Sequence, residues 1–504
     1  MGRIIAVNME EDMYYIGIDL GTSSTKLLLV DDKGNIVNTV TKDYPLDFPK
    51  PGWSEQKPQD WWEACLNGVP ELLAGFDADQ VVAIGAGGQM HGLVVLDDND
   101  NVIRPAILWN DGRTEKEVEY LNETIGKEVI SSYTANIAFA GFTAPKILWM
   151  RNNEPENFEK ICKIMLPKDY VNYKLTGVHS CDYSDASGML LLDVEHKKWS
   201  KEMMDICGVK EEQLPKLFES YEKIGEVKDD VAQSLGLPSG VVVVAGAGDN
   251  AAAAIGTGTI GEGGCNISIG TSGTVFISST QFGVDENNAL HAFAHADGGY
   301  HLMGCMLSAA SCNKWFCEGI LDTGDYAAVQ EKIQADLLGK NNVFFLPYLM
   351  GERSPINDVN ARGTFTGLSL DTSREDMVLA VLEGVAFAIR DSFEVAKKLG
   401  IKIETSKMCG GGAKSKLWAK IFANVVGIPL EMVKTEQGPG YGAVILAMVG
   451  SGKYETVKDA VDDLVEVVSR IEPDAELMAA YEERYQKFCK IYPAMKQLFK
   501  DLRN

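Results

Sequence analysis

The chain has 504 residues, too many for one ordinary hydrophobic core, so we expect two domains of roughly 250 residues each. Its 72 acidic and 47 basic residues give a net charge of −25, which argues against nucleic acid and anionic membranes as partners. Ten scattered cysteines without a C-x-x-C pair are typical of reduced thiols. Residues 1–12 resemble neither a signal nor a transit peptide, so we expect a soluble cytoplasmic protein.

The first element predicted along the chain is a hairpin that has a second copy far downstream. The segment IDLGTSST at 18–25 and the segment ISIGTSGT at 267–274 share five of eight residues, 249 positions apart. Each is typical of a strand, a Gly-Thr-Ser turn and a second strand, and the turn DDKGN at 31–35 then leads into a third strand. Two such hairpins half a chain apart favour two related domains that open with the same motif.

Strands and helices alternate along the rest of the chain, which indicates an α/β fold. Glycine-rich turns join a strand to a helix at 241–254 and at 409–426. A long helix is predicted from Ser373 to Leu399, with Thr372 as its cap, Glu375 closing a capping box and Gly400 ending it. A charged helix is predicted over 474–502. Gly and Thr residues at 255–262 suggest a boundary, which gives domains at 1–257 and 258–504.

The nucleotide-binding motifs that are present and absent limit the classes of nucleotide-binding protein to be considered. The sequence has no G-x-x-x-x-G-K-[ST] loop and no protein-kinase H-R-D or D-F-G set. Gly246-x-Gly248-x-x-Ala251 leaves a dinucleotide site open, although Asp249 would bring a carboxylate toward the pyrophosphate. The Gly-Thr-Ser turns offer another arrangement, because successive N–H groups and hydroxyls form a nest for an oxyanion. Two such turns facing each other across a cleft could grip a triphosphate, although the same residues also occur in simple hairpins.

Two acids and a lysine are well placed for phosphoryl transfer. Asp19 occurs only in the first hairpin, where the second has Ser268, and Lys26 follows the first turn. Asp249 follows four valines and a Gly-Ala-Gly turn, so it should stand at the carboxyl end of a buried strand, where α/β sheets bind ligands. A carboxylate there can accept the proton of an alcohol as the O–P bond forms. It could equally cap the alanine-rich helix that follows.

Two further segments offer contacts for a sugar. Gln89-Met90-His91 follows a predicted strand at 81–84 and a glycine-rich turn, and it combines polar groups with an apolar wall. Trp109 could stack on a sugar face or belong to the core.

These segments resemble the FGGY carbohydrate kinases, and among them the xylulokinase branch, over nearly the whole chain. The resemblance rests on short motifs spread through both halves: 16–23, 52–56, 89–92, 108–113, 141–149, 166–170, 248–251, 307–311, 346–353 and 410–413. It implies two actin-like (ribonuclease-H-like) ATPase domains around a central cleft. The N-terminal domain would carry the sugar site and the C-terminal domain would bind ATP.

The resemblance also implies roles for individual residues. Asp249 would be the catalytic base, and Asp19 the catalytic acid residue near Mg²⁺. The full set of expected contacts comprises Gln89, Met90, His91, Trp109 and Asn250 for the sugar, and Thr22, Ser23, Lys26, Gly270, Thr271, Gly410, Gly411, Gly412 and Ala413 for ATP.

The activity that the resemblance implies is ATP-dependent phosphorylation of D-xylulose to D-xylulose 5-phosphate, with ATP and Mg²⁺ as cofactors. Met90-His91 stands where glycerol kinases carry Arg-Glu, which favours xylulose over glycerol. The alternatives are another FGGY activity, of the ribulokinase or glycerol kinase type, and a non-metabolic actin-like ATPase. The sequence leaves the oligomeric state open, a homodimer included.

Overall fold

The computed structural model describes residues 13–435 and 437–502, so the expectations about residues 1–12 lie outside the described part. The chain forms two compact units. The first contains the described residues up to Gly256 together with 296–298 and 437–464. The second contains 257–295, 299–435 and the described residues from Val465 onward. No helix among residues 13–435 and 437–502 has both the length and the apolar character needed to span a bilayer.

A seven-stranded mixed sheet forms the centre of the first unit. Three antiparallel strands come first in the chain, and two later strands continue the sheet parallel to the first of them. In sheet order the strands are Lys223–Glu226, Val242–Val244, Val81–Gly88, Tyr14–Leu20, Ser24–Asp31 and Ile36–Asp43, with Ala247–Gly248 also paired to Val81–Gly88. The predicted first hairpin and its third strand are therefore confirmed.

The second unit has a seven-stranded sheet of its own, which confirms the second predicted hairpin. In sheet order its strands are His291–Ala294, Tyr300–Met306, Gly273–Ser279, Cys265–Ile269, Ser406–Cys409, Leu430–Val433 and Val467–Ile471. Six of these strands repeat the order and the directions of the first sheet. Only the chain connection of the edge strand Val467–Ile471 differs. This strand comes after its neighbour Leu430–Val433 in the sequence, whereas its counterpart Lys223–Glu226 comes before its neighbour Val242–Val244. The matching topology supports the predicted relation between the two halves.

Helices and short two-stranded ribbons surround both sheets. In the first unit the α-helices are Pro58–Leu72, Glu115–Glu119, Lys127–Thr134, Thr143–Asn153, Pro155–Phe158, Pro167–Thr176, Tyr183–Ser187, Lys201–Cys207, Asp229–Leu235, Asp249–Gly256, Gly438–Gly450 and Val457–Leu464. In the second they are Ala310–Lys314, Tyr326–Glu331, Arg374–Lys398, Lys416–Val426, Ala475–Phe488 and Ile491–Asp501. The ribbons pair Glu55–Gln56 with Ala106–Ile107, Val94–Leu96 with Lys163–Met165, Ser180–Asp182 with Lys216–Phe218, Leu192–Asp193 with Lys198–Trp199, and Phe344–Leu346 with Thr364–Thr366.

The helix Gly438–Gly450 packs on both the first sheet and the helix Asp249–Gly256. Glycines allow the close approach: a Cβ on Gly85 would lie 2.1 Å from the Ala443 carbonyl oxygen, and one on Gly442 would lie 1.8 Å from the Ala252 carbonyl oxygen. This helix belongs to the first unit although most of the second unit precedes it in sequence. The predicted boundaries, 1–257 and 258–504, place this helix in the second domain, whereas it packs in the first unit.

Two details of the helix predictions were wrong. The long helix begins one residue later than expected, because Ser373 accepts the Asp376 N–H and Asp376 accepts the Ser373 N–H, whereas Thr372 accepts the N–H of Ser369. The C-terminal segment forms two helices, Ala475–Phe488 and Ile491–Asp501, instead of one. Pro493 explains the break, since proline cannot donate a backbone hydrogen bond and is tolerated only in the first turn of a helix.

Candidate active site

Asp249 lies at the carboxyl end of the first unit's central strands, as predicted. The chain leaves the strand Val242–Val244, pairs again through Ala247–Gly248, and begins a helix at Asp249. The carboxylate oxygen Oδ1 accepts hydrogen bonds from the backbone N–H of Asn250 at 2.7 Å and from its side-chain Nδ2 at 2.9 Å. Burial raises the pKa of Asp249 to about 7; the Asn250 bonds oppose this rise and the Asp19 carboxylate adds to it.

Asp19 lies on the strand Tyr14–Leu20 of the same sheet. It pairs with Gly87 on one side, and Gly87 pairs on its other side with Ala247, two residues before Asp249. Burial raises the pKa of Asp19 to about 6, against the opposing charge of Lys26. The strand register therefore brings the two acids to one end of the sheet, where the Asp19 carboxylate contributes to the raised pKa of Asp249.

The first Gly-Thr-Ser turn sits beside these acids. Ser23 is exposed and Thr22 is half-buried, so both can reach a ligand. Lys26 Nζ donates a hydrogen bond to Gln437 Oε1 at 3.0 Å, which holds the ammonium on the strand next to Asp19. The structure thus gathers the polar groups expected to bind phosphate around the end of one hairpin.

Met90 and His91 form a wall next to the Asp249 turn. Met90 is buried, and a Cβ on Gly248 would lie 2.9 Å from its Cγ atom, so glycine is needed for this approach. His91 has a φ of 71°, the left-handed region that non-glycine residues rarely adopt. Its Nδ1 lies 2.8 Å from the Gly188 carbonyl oxygen, which requires the ring proton on Nδ1. The imidazole also packs against the ring of Phe142 at 4.9 Å.

A buried lysine stabilises this unusual conformation of His91. Lys146 Nζ donates to the His91 carbonyl at 2.8 Å and to the Gly141 carbonyl at 2.6 Å, and Thr143 Oγ1 donates to the His91 carbonyl at 3.1 Å. Burial lowers the pKa of Lys146 well below its ordinary value, with Asp111 opposing the change. Through these hydrogen bonds the lysine holds the backbone of the candidate sugar segment.

The remaining predicted contacts differ in exposure. Trp109 is 45% exposed, and its Nε1 donates to Thr22 Oγ1 at 3.0 Å, so it is a surface side chain and not part of the core. Asn250 lies beside Asp249 and uses its Nδ2 group on that carboxylate. Gln89 is 2% exposed, and its Nε2 donates to the Gly21 carbonyl and to Gln56 Oε1. Its Nε2 group thus faces the hairpin turn, and the contact of Gln89 with a sugar hydroxyl stays a prediction.

The second unit brings its own two predicted ATP segments together. The turn at Gly270–Thr271 has its carbonyls paired with backbone N–H groups of Ala309 and Ala310, while the Thr271 side chain is exposed. Gly410 has a φ of 84° and packs on Ile269, which directly precedes this turn: a Cβ on Gly410 would lie 2.7 Å from the Ile269 carbonyl oxygen. A Cβ on Gly411 would meet no atom within 4 Å, so this glycine borders open space. Gly410–Ala413 and Gly270–Thr271 are thus adjacent.

Comparisons with known proteins identify the family. Residues 14–256 match the N-terminal domain, and residues 265–451 match the C-terminal domain, of the FGGY family of carbohydrate kinases. This chain belongs to the FGGY family. The FGGY kinase is 39% identical to xylulose kinase of Escherichia coli strain K12, over 95% of this chain and 98% of that one. It is 36% identical to xylulose kinase of Staphylococcus epidermidis strain ATCC 12228, over 97% and 98% respectively.

A solved structure confirms the fold of this FGGY kinase. A crystal structure named as a "xyloylose kinase" from Brucella ovis superposes with a TM-score of 0.91 at 38% identity, covering 96% of this chain and all of that one. The α/β fold with two actin-like ATPase domains, as predicted, is therefore confirmed. As a carbohydrate kinase of this family, the protein uses ATP and a sugar.

Sequence reasoning missed a charged cluster behind the active site of the FGGY kinase. Lys168 is fully buried, and its Nζ lies 2.6 Å from Asp169, 2.9 Å from Asp182 and 3.6 Å from Asp185. Burial alone would lower the pKa of Lys168, but the neighbouring carboxylates raise it well above its ordinary value. Burial also raises the pKa of Asp185 well above its ordinary value, against the opposing charge of Lys168.

The cluster connects directly to the Asp249 turn. Asp182 accepts from Ser184 Oγ at 2.5 Å, and Ser184 Oγ accepts the N–H of Gly248 at 3.2 Å. The signal in the sequence was the pair Lys168-Asp169 within a mostly apolar segment, but its partners lie in another segment more than ten residues away.

Proposed function

We propose that this FGGY kinase transfers the γ-phosphoryl group of ATP to D-xylulose and so forms D-xylulose 5-phosphate. The observation that carries the proposal is Asp249, a half-buried carboxylate with a pKa raised to about 7 at the end of the central strands. Met90 and His91 beside it, and long alignments with proteins named xylulose kinases, support the choice of sugar.

Asp249 would act as the general base. As the sugar oxygen forms its bond to the γ-phosphorus, the hydroxyl proton passes to the Asp249 carboxylate and the bond from phosphorus to the β-phosphate oxygen breaks, which releases ADP. A base with a pKa near 7 is mostly ionised at slightly alkaline pH and still holds a proton well, the compromise that general-base catalysis requires. The Asn250 N–H bonds would keep the carboxylate oriented.

The sugar would lie against the wall beside Asp249. In this proposal Met90 provides the apolar surface, His91 and Asn250 provide polar contacts, and the exposed indole of Trp109 covers one face of the sugar. Gln89 would support the site by holding the hairpin turn, since its buried amide donates to the Gly21 carbonyl.

The first hairpin fits the role of a magnesium and phosphate site. Mg²⁺ in kinases is held by one or two carboxylates together with substrate phosphates. Asp19 supplies such a carboxylate in a buried position, where burial raises its pKa to about 6 against the opposing charge of Lys26. Mg²⁺ bound there would neutralise developing phosphate charge. Thr22, Ser23 and Lys26 would donate to phosphate oxygens, which matches their placement around the turn.

We propose further that residues 1–257 provide the sugar site and the catalytic acid, and that residues 258–504 bind ATP through the adjacent segments Gly270–Thr271 and Gly410–Ala413.

All ten cysteines are free thiols, which supports a reducing, cytoplasmic location. A homodimer is one assembly that light scattering would distinguish from a monomer.

A panel of acceptors tests the proposed substrate. ADP release would be followed by a coupled assay with D-xylulose, D-ribulose, L-ribulose, glycerol and D-gluconate at fixed ATP and Mg²⁺. We expect the highest kcat/KM for D-xylulose, by about tenfold or more, because the other acceptors should make one or two fewer hydrogen bonds with the site. A higher kcat/KM for glycerol or ribulose would replace D-xylulose as the substrate, and ADP release that no acceptor stimulates would contradict the kinase.

The pH dependence of catalysis should report the ionisation of Asp249. The acid accepts a proton only when ionised, so kcat/KM for the sugar should rise with pH, by about tenfold per unit below pH 7, and level off near pH 8. Rates measured from pH 5.5 to 8.5 at constant ionic strength would show this. A flat profile across pH 6 to 8 would contradict the assignment of the base.

Replacing Lys146 should impair sugar binding more than turnover. Lys146→Met keeps the length of the side chain but removes both donors to the His91 and Gly141 carbonyls. The lost bonds should raise KM for the sugar by about tenfold, since a buried hydrogen bond contributes on the order of 1–2 kcal/mol, and should change kcat less than about threefold. Steady-state kinetics would separate these effects, with the exposed Lys160→Met as the matched control. Equal losses in kcat and in KM for ATP would contradict a local role.

A further inference from the structure

The turn of the first hairpin is held by side chains from several segments of the first unit. The Gly21 carbonyl accepts from Tyr44 Oη at 2.5 Å and from Gln89 Nε2 at 3.3 Å. The Thr22 carbonyl accepts from Gln56 Nε2 at 2.6 Å. Both carbonyls therefore accept from side chains of the first unit. The Gly21 N–H is bonded within the hairpin, to the carbonyls of Asp19 and Ser24, and the Ser23 side chain is exposed.

Gln56 is the centre of this network. It is 1% exposed, and its Nε2 donates to the Thr22 carbonyl and, at 3.1 Å, to the Pro45 carbonyl. Its Oε1 accepts from Trp61 Nε1 at 3.0 Å and from Gln89 Nε2 at 3.1 Å. Because an indole N–H can only donate, Trp61 fixes which end of the amide is oxygen. The amide is fully satisfied in one orientation, so it is a rigid link.

Gln89 joins this link to the candidate sugar segment. It directly precedes Met90 and His91, and its backbone N–H donates to the Leu20 carbonyl at 2.8 Å. The side-chain amide of Gln56 therefore contacts both Gln89 and the Thr22 carbonyl. A movement of Gln89 would be passed to the turn through this one amide. On the other side of the turn, Trp109 Nε1 donates to Thr22 Oγ1, which leaves the Thr22 hydroxyl proton to point toward another acceptor.

We propose that Gln56 is a positioning residue that couples occupancy of the sugar segment to the phosphate-binding geometry of the Thr22 turn. The inference rests on the proposed kinase function. Sugar bound against Met90 and His91 restricts Gln89, and Gln56 passes this restriction to the turn, which then binds the nucleotide phosphates more tightly. By thermodynamic linkage the nucleotide must tighten sugar binding by the same factor.

Calorimetric titration of the purified full chain with the magnesium complex of β,γ-imido-ATP, with and without saturating D-xylulose, tests the coupling. We expect the sugar to tighten binding of the analogue by about fivefold or more in the wild type, the lower end of common coupling strengths. In Gln56→Met, which keeps length but removes all four hydrogen bonds, this factor should fall below twofold, while the affinity for the sugar alone stays within threefold.

Trp61→Phe is the matched control, because it loses one partner of Gln56 and leaves the path from Gln89 to Thr22 intact. It should retain at least half of the coupling factor even if its melting temperature falls as far as that of Gln56→Met. Gln89→Met removes the preceding link and should also abolish coupling, which provides a second variant if Gln56→Met does not fold.

Three results would overturn the proposal: no coupling in the wild type, unchanged coupling in Gln56→Met, or an equal loss of coupling in Trp61→Phe. If the acceptor panel identifies a sugar other than D-xylulose, the titration is performed with that sugar. Failure of the substrate assignment is thereby kept separate from failure of the coupling.

Discussion

Asp249→Asn should lower kcat for sugar phosphorylation by about 10³-fold, within the range of 10²–10⁴ that a positioned general base contributes. The amide has nearly the shape of the carboxylate but cannot accept the hydroxyl proton. Steady-state assays with D-xylulose would measure the loss, and titration with β,γ-imido-ATP would show that nucleotide affinity is retained within about threefold, since the base contacts the acceptor and not ATP.

The control for Asp249→Asn is the same substitution at Asp230, an exposed acid on the helix Asp229–Leu235. Its kcat should be unchanged. A kcat for Asp249→Asn within tenfold of wild type would remove Asp249 from the role of base.

Lys168→Met should be the most destabilising single change that we predict. The methionine leaves Asp169 and Asp182 in a fully buried site without their cation, and removal of one partner from a buried ionic group costs about 3–5 kcal/mol. Denaturant unfolding followed by tryptophan fluorescence at pH 7.5 would measure the change in free energy. Activity should fall with folded fraction, since the cluster lies behind Gly248 and Asp249.

Two further variants separate the buried charge from other effects in the Lys168 cluster. Asp185→Asn should cost clearly less than Lys168→Met, because it leaves the Lys168 pairs with Asp169 and Asp182 intact and replaces the acid with little change in shape. Lys163→Met breaks a more exposed pair with Asp100 and should cost less than about 1 kcal/mol. If Asp185→Asn destabilises the protein as much as Lys168→Met, the description of the cluster is wrong.

The elements that local sequence determines were predicted well. The hairpins follow from apolar residues around Gly-Thr-Ser turns, and the strand before Asp249 follows from four valines and a glycine turn. The position of Asp249 at a strand end was predictable for the same reason: a buried strand that ends in glycines exposes the next side chain at the edge of the sheet.

Features that depend on distant segments were not predictable from pattern alone. Nothing in the sequence pairs Lys168 with Asp182, or Lys146 with the carbonyl of His91, because each contact is set by packing between elements. Gln89 has the residue type of a sugar ligand, yet its side-chain Nε2 donates to Gln56, which comes from the distant ribbon strand Glu55–Gln56. The helix Gly438–Gly450 joins the first unit because its glycines match those of a sheet more than 300 residues earlier.

The most direct test of the proposed mechanism is a single-turnover reaction with γ-labelled ATP and D-xylulose, in which sugar phosphate and inorganic phosphate are separated from the same quenched samples. We expect the wild-type enzyme to place the label almost entirely on the sugar, and Asp249→Asn to form sugar phosphate at least about 100-fold more slowly. Labelled inorganic phosphate as the main wild-type product, or sugar phosphate formed by Asp249→Asn at a rate close to wild type, would contradict the account.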